Sequence, residues 1–459
     1  MSEKRENVTI AYIGGGSRNW AWTLMTDLAL EESMSGCIRL YDINREAAKI
    51  NETIGNHLTA RPEAVGEWNY RAVDTLQDAL TGADFVIVSI LPGTFEEMRS
   101  DVHAPEEYGV YQSVGDTVGP GGFFRAMRTI PMFEEIGLAI KEYAPDAWVI
   151  NYTNPMTICV KTLYTVFPQI KAVGCCHEVF GTQKLLIKVL KEAGIAEDAK
   201  REEIITNVVG INHFTWFTQA SYRNVDLMPV YDKFVEKYLE TGYIDEENKE
   251  WERDTFKFCE RVKMDMFKRY GAIAAAGDRH LAEFMPEGYL DDKETVRDWM
   301  YSLTTVDWRV NDMKSKIARS KRLASGEEEI ELKSSGEEGV AIMKAILGLG
   351  NLVTNVNFPN QGQITNLPVN AIVESNAVIG YDSVRPVFAG EVPTDVLPYM
   401  NEHVDMQENI VGIVLSKDKR AAKELFLKLP MLKKLSETEK ADLFEKMFDG
   451  TKAYLDGWK

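Results

Sequence analysis

Two short segments carry the side chains best suited to chemistry in this chain: Gly174-Cys175-Cys176-His177-Glu178-Val179 and, further on, Gly210-Ile211-Asn212-His213. A thiolate and an imidazole are good ligands for a first-row divalent metal. Both segments lie downstream of Ile13-Gly14-Gly15-Gly16-Ser17, where glycines end a short β-branched run. Ordinary hydride-transferring enzymes with such a start need no metal, so the combination points beyond a single hydride transfer. The chain has only six histidines, and His177, His213 and His280 each stand beside Gly, Asn, Asp or Cys at positions that read as strand ends. Chemistry alone leaves two readings open. One is a metal centre; the other is a cysteine packed as a small hydrophobe beside satisfied core imidazoles. Neighbours on a strand point to opposite faces. Cys175 therefore takes the packing role and Cys176 faces the cleft.

The elements that must hold these groups follow from the pattern. Val8–Ile13, Ile38–Ile43, Asp84–Leu91, Trp148–Tyr152 and Lys171–Cys175 read as buried strands, being short, nearly continuous apolar runs. Trp20–Leu30 and Asn44–Leu58 have helical character, the latter with Asn44 as N-cap. Strands separated by helices imply a parallel, doubly wound sheet, an α/β architecture. Between Asp84–Leu91 and Trp148–Tyr152 lies Gly115-Asp116-Thr117-Val118-Gly119-Pro120-Gly121-Gly122, read as a loop because its glycines and proline break regular structure. It belongs at the carboxyl end of the sheet, where such folds bind ligands. The helix Phe123–Tyr143 after it carries Arg125 and Arg128. Beyond Arg201 the pattern is less regular: Glu236–Arg269 reads as charged helix, Ser320–Glu337 as an exposed excursion, Asn351–Pro368 as unusually amide-rich, and the stretch from Lys417 as surface helices.

The dinucleotide signal rests on context. Gly14 and Gly16 fit G-x-G-x-x-G, but Asn19 fills the third position. The glycines end a strand and open a helix. Asp42 then closes the second strand, where a carboxylate accepts ribose hydroxyls and repels a 2′-phosphate. These coincidences favour NAD over its phosphorylated relative, against a bare tight turn with a solvated Asp.

Composition bounds the rest. With 459 residues the chain is long enough for two domains sharing a cleft. A net charge of −19 argues against nucleic acid and against an anionic membrane surface. No stretch reads as a membrane span or an apolar signal segment. Five cysteines, an odd number, suit free thiols in a reducing cytoplasm better than a disulfide framework.

The sequence resembles glycoside hydrolase family 4, the NAD-dependent glycosidases. The resemblance is carried by Gly14-Gly15-Gly16-Ser17, Asp116–Gly122 with Arg125 and Arg128, Asn151-Tyr152-Thr153-Asn154-Pro155-Met156, Cys175–Val179 and Asn212-His213, then by Gly277–His280 and Asn355–Gln363. Along its whole length the chain is most similar to the α-galacturonidase branch. The resemblance implies a Rossmann-type doubly wound parallel sheet over residues 1–200. A mixed α+β substrate and oligomerisation domain of the lactate/malate dehydrogenase-like C-terminal type is implied over 201–459. It also implies chemistry unlike the usual two-carboxylate glycosidase. The sugar C3 hydroxyl is oxidised, the C2 proton is removed next to the new ketone, the C1 group is eliminated, water adds, and the ketone is reduced again. NAD and Mn²⁺ are the implied cofactors, with no net redox change.

Roles carried over from the resemblance fall on named residues. Cys176 and His213 match metal ligands. Gly14, Gly15, Gly16, Ser17, Asp42, Pro92 and Asn151 match the cofactor site. Asn154, Arg279 and Asp116 match substrate contacts, although Asn154 reads equally as an N-cap before Pro155. His177 stands where some relatives carry an acidic proton donor, and a histidine can donate at neutral pH. His280, with Asp278 and Tyr270 as rivals, falls near the C2 base; Asp278 also reads as a turn residue after Gly277. The implied substrate is a small glycoside, a uronate oligosaccharide, handled by a homodimer or homotetramer. Competing readings are an α-galactosidase or α-glucosidase of the same family, a 2-hydroxyacid dehydrogenase, and a non-catalytic NAD sensor.

Overall fold

The computed structural model describes residues 4–458. Six strands form the parallel part of the first sheet: β1 (Arg5–Ile13), β2 (Met34–Tyr41), β3 (Glu67–Val73), β4 (Phe85–Val88), β5 (Trp148–Asn151) and β6 (Lys171–Gly174). Their order across the sheet is β3-β2-β1-β4-β5-β6, with the reversal at β1/β4. That order is the doubly wound dinucleotide-binding arrangement, whose ligands lie beyond the carboxyl ends at the switch point. Both faces are covered, as a parallel sheet requires. Along β1, Ile10 and Tyr12 pack with the helix Trp20–Ala29 on one face, and Ala11 and Ile13 pack with Phe133 and Ile136 of the helix Gly119–Tyr143 on the other.

The second half builds a smaller antiparallel sheet from β7 (Ile204–Ile211), β8 (Phe214–Tyr222), β9 (Val225–Asp226) and β10 (Ile273–Ala274). It then returns to the first. β11 (Leu352–Pro359), β12 (Ile372–Gly380) and β13 (Ser383–Pro386) are antiparallel, and β11 joins β6 by pairing Asn357 with Gly174. Residue 200 thus falls in the connection before β7, yet strands from beyond it complete the nine-stranded sheet. The amide-rich stretch becomes β11, with Asn355 and Asn357 both buried on one side of the strand, where Asn355 donates to Glu374 and Asn357 to the Met156 sulfur.

Three expectations are corrected. The glycine-rich segment does not remain a loop to Gly122: a 25-residue helix begins at Gly119, with Pro120 in the first turn, where its missing N–H costs nothing. Glu236–Arg269 is not continuous helix. Helices span Met228–Tyr238 and Arg261–Tyr270, and Gly242 and Glu260, both with positive φ, turn the chain between them. Ser320–Ser325 closes the helix Val306–Ser325, and only the chain beyond Gly326 is irregular. Within the parallel part of the first sheet, one strand carries no clear sequence pattern. β3 alternates buried Trp68 and Tyr70 with exposed neighbours at the sheet edge. Among the described residues no helix is long and apolar enough to cross a membrane.

Candidate active site

The glycine turn is fixed by space as well as by flexibility. Gly14 has φ +90°, and a Cβ there would lie 2.0 Å from the Ser89 carbonyl oxygen beyond β4. At Gly16 a Cβ would meet Ala47 at 2.6 Å and the Asp42 carboxylate at 2.9 Å. The N–H groups of Gly14 and Gly15 both donate to the Tyr41 carbonyl. Asp42, just past β2, accepts from the Gly16 N–H at 2.8 Å and the Asn44 N–H at 2.7 Å. Each carboxylate oxygen keeps a free lone pair. The Asn44 side chain caps the next helix at Ala47, as expected. This cradle fits a dinucleotide: bare backbone beside a helix start and a fixed acid. Ser17 lies in the turn, and buried Pro92 follows β4. Asn151 ends β5. Its amide donates to the Thr153 carbonyl and accepts from the Thr153 N–H, both at 3.0 Å, and so shapes the loop beside the cofactor cradle.

Past β6 the chain runs through Cys175 and Cys176 into the helix Glu178–Glu192, with His177 as the N-cap residue. The two cysteines diverge as expected. Cys175 packs with Ile87, Val173 and the core of one sheet face, while Cys176 packs with Met156, Val160 and Ile372. β7 and β8 are joined by only Asn212 and His213, and His213 takes the left-handed conformation at φ +62°. A non-glycine residue pays for that backbone, and the tight turn aims both polar side chains inward. The short helix Asp278–Phe284 brings His280 face to face with His213, ring centroids 3.9 Å apart.

A polar lattice sets the protonation of these rings. The Thr117 hydroxyl donates to Asp116 Oδ1 at 2.8 Å, so toward His213 Nδ1, 3.1 Å away, it acts as acceptor. That pattern places the proton on Nδ1 and leaves the Nε2 lone pair free. Burial, with the neighbouring His280, holds His213 at about 3, so the ring is neutral. Burial and Arg279 likewise lower His280, although Glu178 opposes them. Its Nδ1 is buried with no partner. Glu178 is the hub that the sequence reading passed over. One oxygen accepts from the Gly277 N–H at 2.7 Å; the other lies 3.8 Å from His280 Nε2 and 4.0 Å from His177 Nε2. Burial would raise its carboxyl, but the three imidazoles His280, His213 and His177 outweigh that and hold it well below the usual range. For Asp116, burial is overcome by Arg125, Arg309 and the two inner imidazoles, which bring it to about 2.

Burial pushes the Cys176 thiol well up, with Glu374 and Glu178 adding to it; Asn212 and the Glu178 N–H oppose. Behind it, Glu374 takes hydrogen bonds from Asn355 at 2.6 Å and Asn212 at 3.3 Å. Burial still raises that carboxyl to about 7. A thiol so placed ionises only against a cation. Among the described residues no three His, Cys, Asp or Glu side chains converge as a closed metal cluster. What is present is a set of single donors: Cys176, which meets the Asn212 side chain, and His213 next to Asn212 in the chain, with the Asn212 Oδ1 buried and unpartnered. The donors suit a divalent ion that completes its shell with substrate oxygens.

The other expected residues divide. Asn154 does not cap the following helix; its Oδ1 is buried with no partner, and its carbonyl accepts from Arg125 Nε at 3.0 Å. His177 is the exposed rim of the cluster, 3.4 Å from Glu337 and beside Trp20, which stacks on Tyr152. Glu337, expected in an exposed excursion, therefore ends at the site. Arg279 is buried next to His280. The Asp278 carboxylate turns away from the imidazoles: it accepts from the Val262 and Lys263 N–H groups at 3.2 and 3.1 Å, anchoring the helix Arg261–Tyr270. Tyr270 packs edge-on to Trp216 and its hydroxyl meets Tyr399. Arg128 is closed off by Asp101. Glu178 and Thr117 each had a weak signal, adjacency to a chemical residue, whereas Glu374, on β12 opposite Asn357 of the amide-rich β11, had none of its own. Arg309 had none, sitting in a charged helix.

Comparison with known proteins bears on the whole chain. The profile of the family 4 glycosyl hydrolases matches residues 9–192, and that of the family 4 glycosyl hydrolase C-terminal domain matches 208–431. An alpha-galacturonidase of Thermoanaerobacterium saccharolyticum is 58% identical over 457 residues, covering 99% of this chain and 98% of that protein. A solved structure of a putative glucosidase from Bacillus subtilis superposes with a TM-score of 0.92 at 50% identity, covering 96% of this chain and 100% of that one. A 6-phospho-alpha-glucosidase from gut microorganisms, solved with NAD and Mn²⁺, has the same fold, with a TM-score of 0.79 at 20% identity, over 98% of this chain and 99% of that one.

Proposed function

The chain belongs to family 4 of the glycosyl hydrolases, and from that premise we propose that it hydrolyses α-galacturonides with NAD and a divalent cation, Mn²⁺ by the donor set. The observation that carries the substrate class is the full-length similarity to an alpha-galacturonidase. When bound, NAD supplies a hydride acceptor and the cation a Lewis acid for neighbouring sugar oxygens.

The residues of this chain have distinct tasks. Gly14, Gly15 and Gly16 admit the dinucleotide, and Asp42 accepts from its ribose diol. Cys176 and His213 hold the cation, and Thr117 fixes the His213 tautomer that ligation needs. With the C3 hydrogen removed as hydride and the C3 hydroxyl proton lost to solvent, the C2 proton becomes acidic, and His280, neutral and with an unpartnered nitrogen, takes it. His177, at the solvent-accessible rim, delivers a proton to the departing oxygen at C1. Glu178 lies between the two imidazoles and keeps both rings oriented. Water then adds at C1, the proton returns to C2, and the hydride returns to C3 while its oxygen takes a proton from solvent. Asn154 Oδ1 and Asp116 accept from sugar hydroxyls. Trp20 stacks on Tyr152 and lies beside His177 at the rim of the site.

Two further attributes belong to this reading. All five cysteines are free, which supports a reducing, cytoplasmic setting. Exposed Val353, Tyr381, Val387 and Phe388 on and beside β11–β13 support a homodimer or homotetramer. The test is hydrolysis of p-nitrophenyl α-galacturonide, α-galactoside and α-glucoside with NAD and Mn²⁺. The galacturonide is turned over far faster, chelator abolishes turnover and Mn²⁺ restores it. Equal rates on the three glycosides would move the assignment to another branch, and full activity in metal-free buffer would refute the mechanism.

A further inference from the structure

Four arginines stand near the candidate site, and they are not paired alike. Arg128 is neutralised by Asp101 through two hydrogen bonds, at 2.5 and 3.0 Å. Among the described residues, Arg125, Arg279 and Arg309 have no carboxylate oxygen within the 4.0 Å that defines an ion pair. Arg125 donates its Nε–H to the Asn154 carbonyl and is the strongest of the cations acting on Asp116. The other two guanidiniums each keep a buried Nε without a partner. Arg279, 5% exposed, donates to the Thr304 hydroxyl and lies over the Phe256 ring at 4.7 Å; its Nε is buried with no partner. Arg309 donates to the Val114 carbonyl at 3.1 Å, and its Nε is likewise buried and unpartnered. Arg279 feels the charge of Arg309, and Asp116 lies in the field of Arg309 and of both inner imidazoles.

The nearby carboxylates act from a distance and not in contact. Asp116 and Glu178, both held below the usual carboxyl range, and Glu283, whose carboxyl burial raises to about 7 while one oxygen serves the Val114 and Gly115 N–H groups, surround the three guanidiniums, but among the described residues none lies within ion-pairing distance of one. A buried guanidinium such as Arg279 without a counter-charge in contact is costly. Such a site, with half-buried Arg309 acting on it, persists where a ligand brings the contacting anion. The chain as a whole carries −19, so this concentration of unpaired positive charge runs against the rest of the protein.

We infer that Arg279 and Arg309 form the pocket for the carboxylate of the sugar acid. The inference rests on the galacturonide reading and adds to it the groups that select the acid over the neutral sugar. A guanidinium fork matches a carboxylate with parallel hydrogen bonds, which a hydroxymethyl group cannot match. Position favours the sugar over the cofactor as the source of the anion. The dinucleotide phosphates belong at the Gly14–Ser17 turn and the start of the helix Trp20–Ala29. Arg279 instead adjoins His280 on the helix Asp278–Phe284, and its carbonyl is held by the Ser113 hydroxyl at 2.5 Å in the segment leading to Asp116.

The test measures one ratio: kcat/KM for p-nitrophenyl α-galacturonide divided by that for the galactoside, with NAD and Mn²⁺, in wild type, R309M, R309K and R279K. NAD dissociation constants are measured on the same proteins. R309M should lower the ratio at least about 100-fold, because the neutral sugar never used the cation. R309K and R279K should each lower it at least about tenfold, since an ammonium keeps the charge but loses the fork. If R309M does not fold by circular dichroism, the two lysine variants decide. A ratio within about threefold of wild type in the folded variants overturns the pocket. The same ratio with a raised NAD dissociation constant assigns the anion to the cofactor and also overturns it. A wild-type enzyme that does not prefer the galacturonide sinks the parent reading, and the pocket with it. Wild-type preference with an unchanged variant ratio sinks the pocket alone.

Discussion

At the scale of single residues, the division of labour between adjacent cysteines is the sharpest expectation. Cys176→Ser should bind Mn²⁺ at least tenfold more weakly, because an alcohol does not ionise to replace a thiolate. Cys175→Ser should keep most of the affinity, since that thiol packs against Ile87 and Val173. Calorimetric titration of Mn²⁺ into the NAD-loaded proteins checks this, and equal losses would undo the ligand assignment. Thr117→Val probes the layer behind the ligand. Without the hydroxyl that fixes Nδ1–H, metal affinity should fall about 10- to 100-fold while NAD affinity holds; unchanged metal binding would leave the hydroxyl a packing group. The sequence made Cys176, His213 and His280 legible because few residue types do metal and proton chemistry, and they stood beside strand-end residues. It left Arg309 hidden. A guanidinium is common on a charged helix, and only tertiary packing of Val306–Ser325 against the loop at Val114 tells that its Nε is buried and unpaired.

At the scale of elements, the apolar runs of the first sheet were legible because both faces of a parallel sheet are buried, so the strands need no register information to be seen. β3 was not, because an edge strand exposes every second residue and the pattern dissolves among polar neighbours. The return of β11–β13 to the first sheet was also invisible, since pairing between residues as distant as Gly174 and Asn357 leaves no local trace. The helices under the site depend on a buried ion pair. Arg128 links its own helix to Asp101 on the helix Phe95–His103 and, at 2.9 Å, to Thr451 at the end of Glu437–Thr451. Asp101→Asn leaves a guanidinium buried without its counter-charge and should cost about 3–5 kcal/mol. The double variant Asp101→Leu with Arg128→Met removes both charges and should recover much of that loss. Urea titration of the three proteins measures both effects. A double variant no more stable than Asp101→Asn would show that shape, not charge pairing, holds the three helices.

For the whole molecule, pH acts through buried groups of opposite sign, so the overall stability profile conceals its parts. Asp278, Glu283 and Glu374 are each raised by burial to about 7. Their contribution is complete below the ordinary carboxyl range near 4.5 and is lost as pH rises through 7. His403 works the other way. Its ring lies between Phe214 and Phe284, its Nε2–H donates to the Phe284 carbonyl at 2.9 Å, and the charged groups nearest it are Glu402 and Lys433. Burial lowers it to about 4, with the Phe284 carbonyl only partly opposing. The folded protein thus resists a proton that the unfolded chain accepts near 6.5. The stability that neutral His403 contributes is whole above 6.5 and drains away as pH falls toward 4, by at most about 3 kcal/mol. Gln can keep the donor to Phe284 but does not titrate. The stability gap between wild type and His403→Gln should therefore be largest at pH 7.5, shrink by about 1–2 kcal/mol at pH 5, and change least between pH 7 and 8. Urea midpoints across that range read the gap directly, and the three carboxyls cancel because both proteins share them. A gap constant from pH 7.5 to 5 would mean that water or a shifted helix relieves the buried imidazolium, and that the core around Leu397–Ser416 is looser than its packing implies.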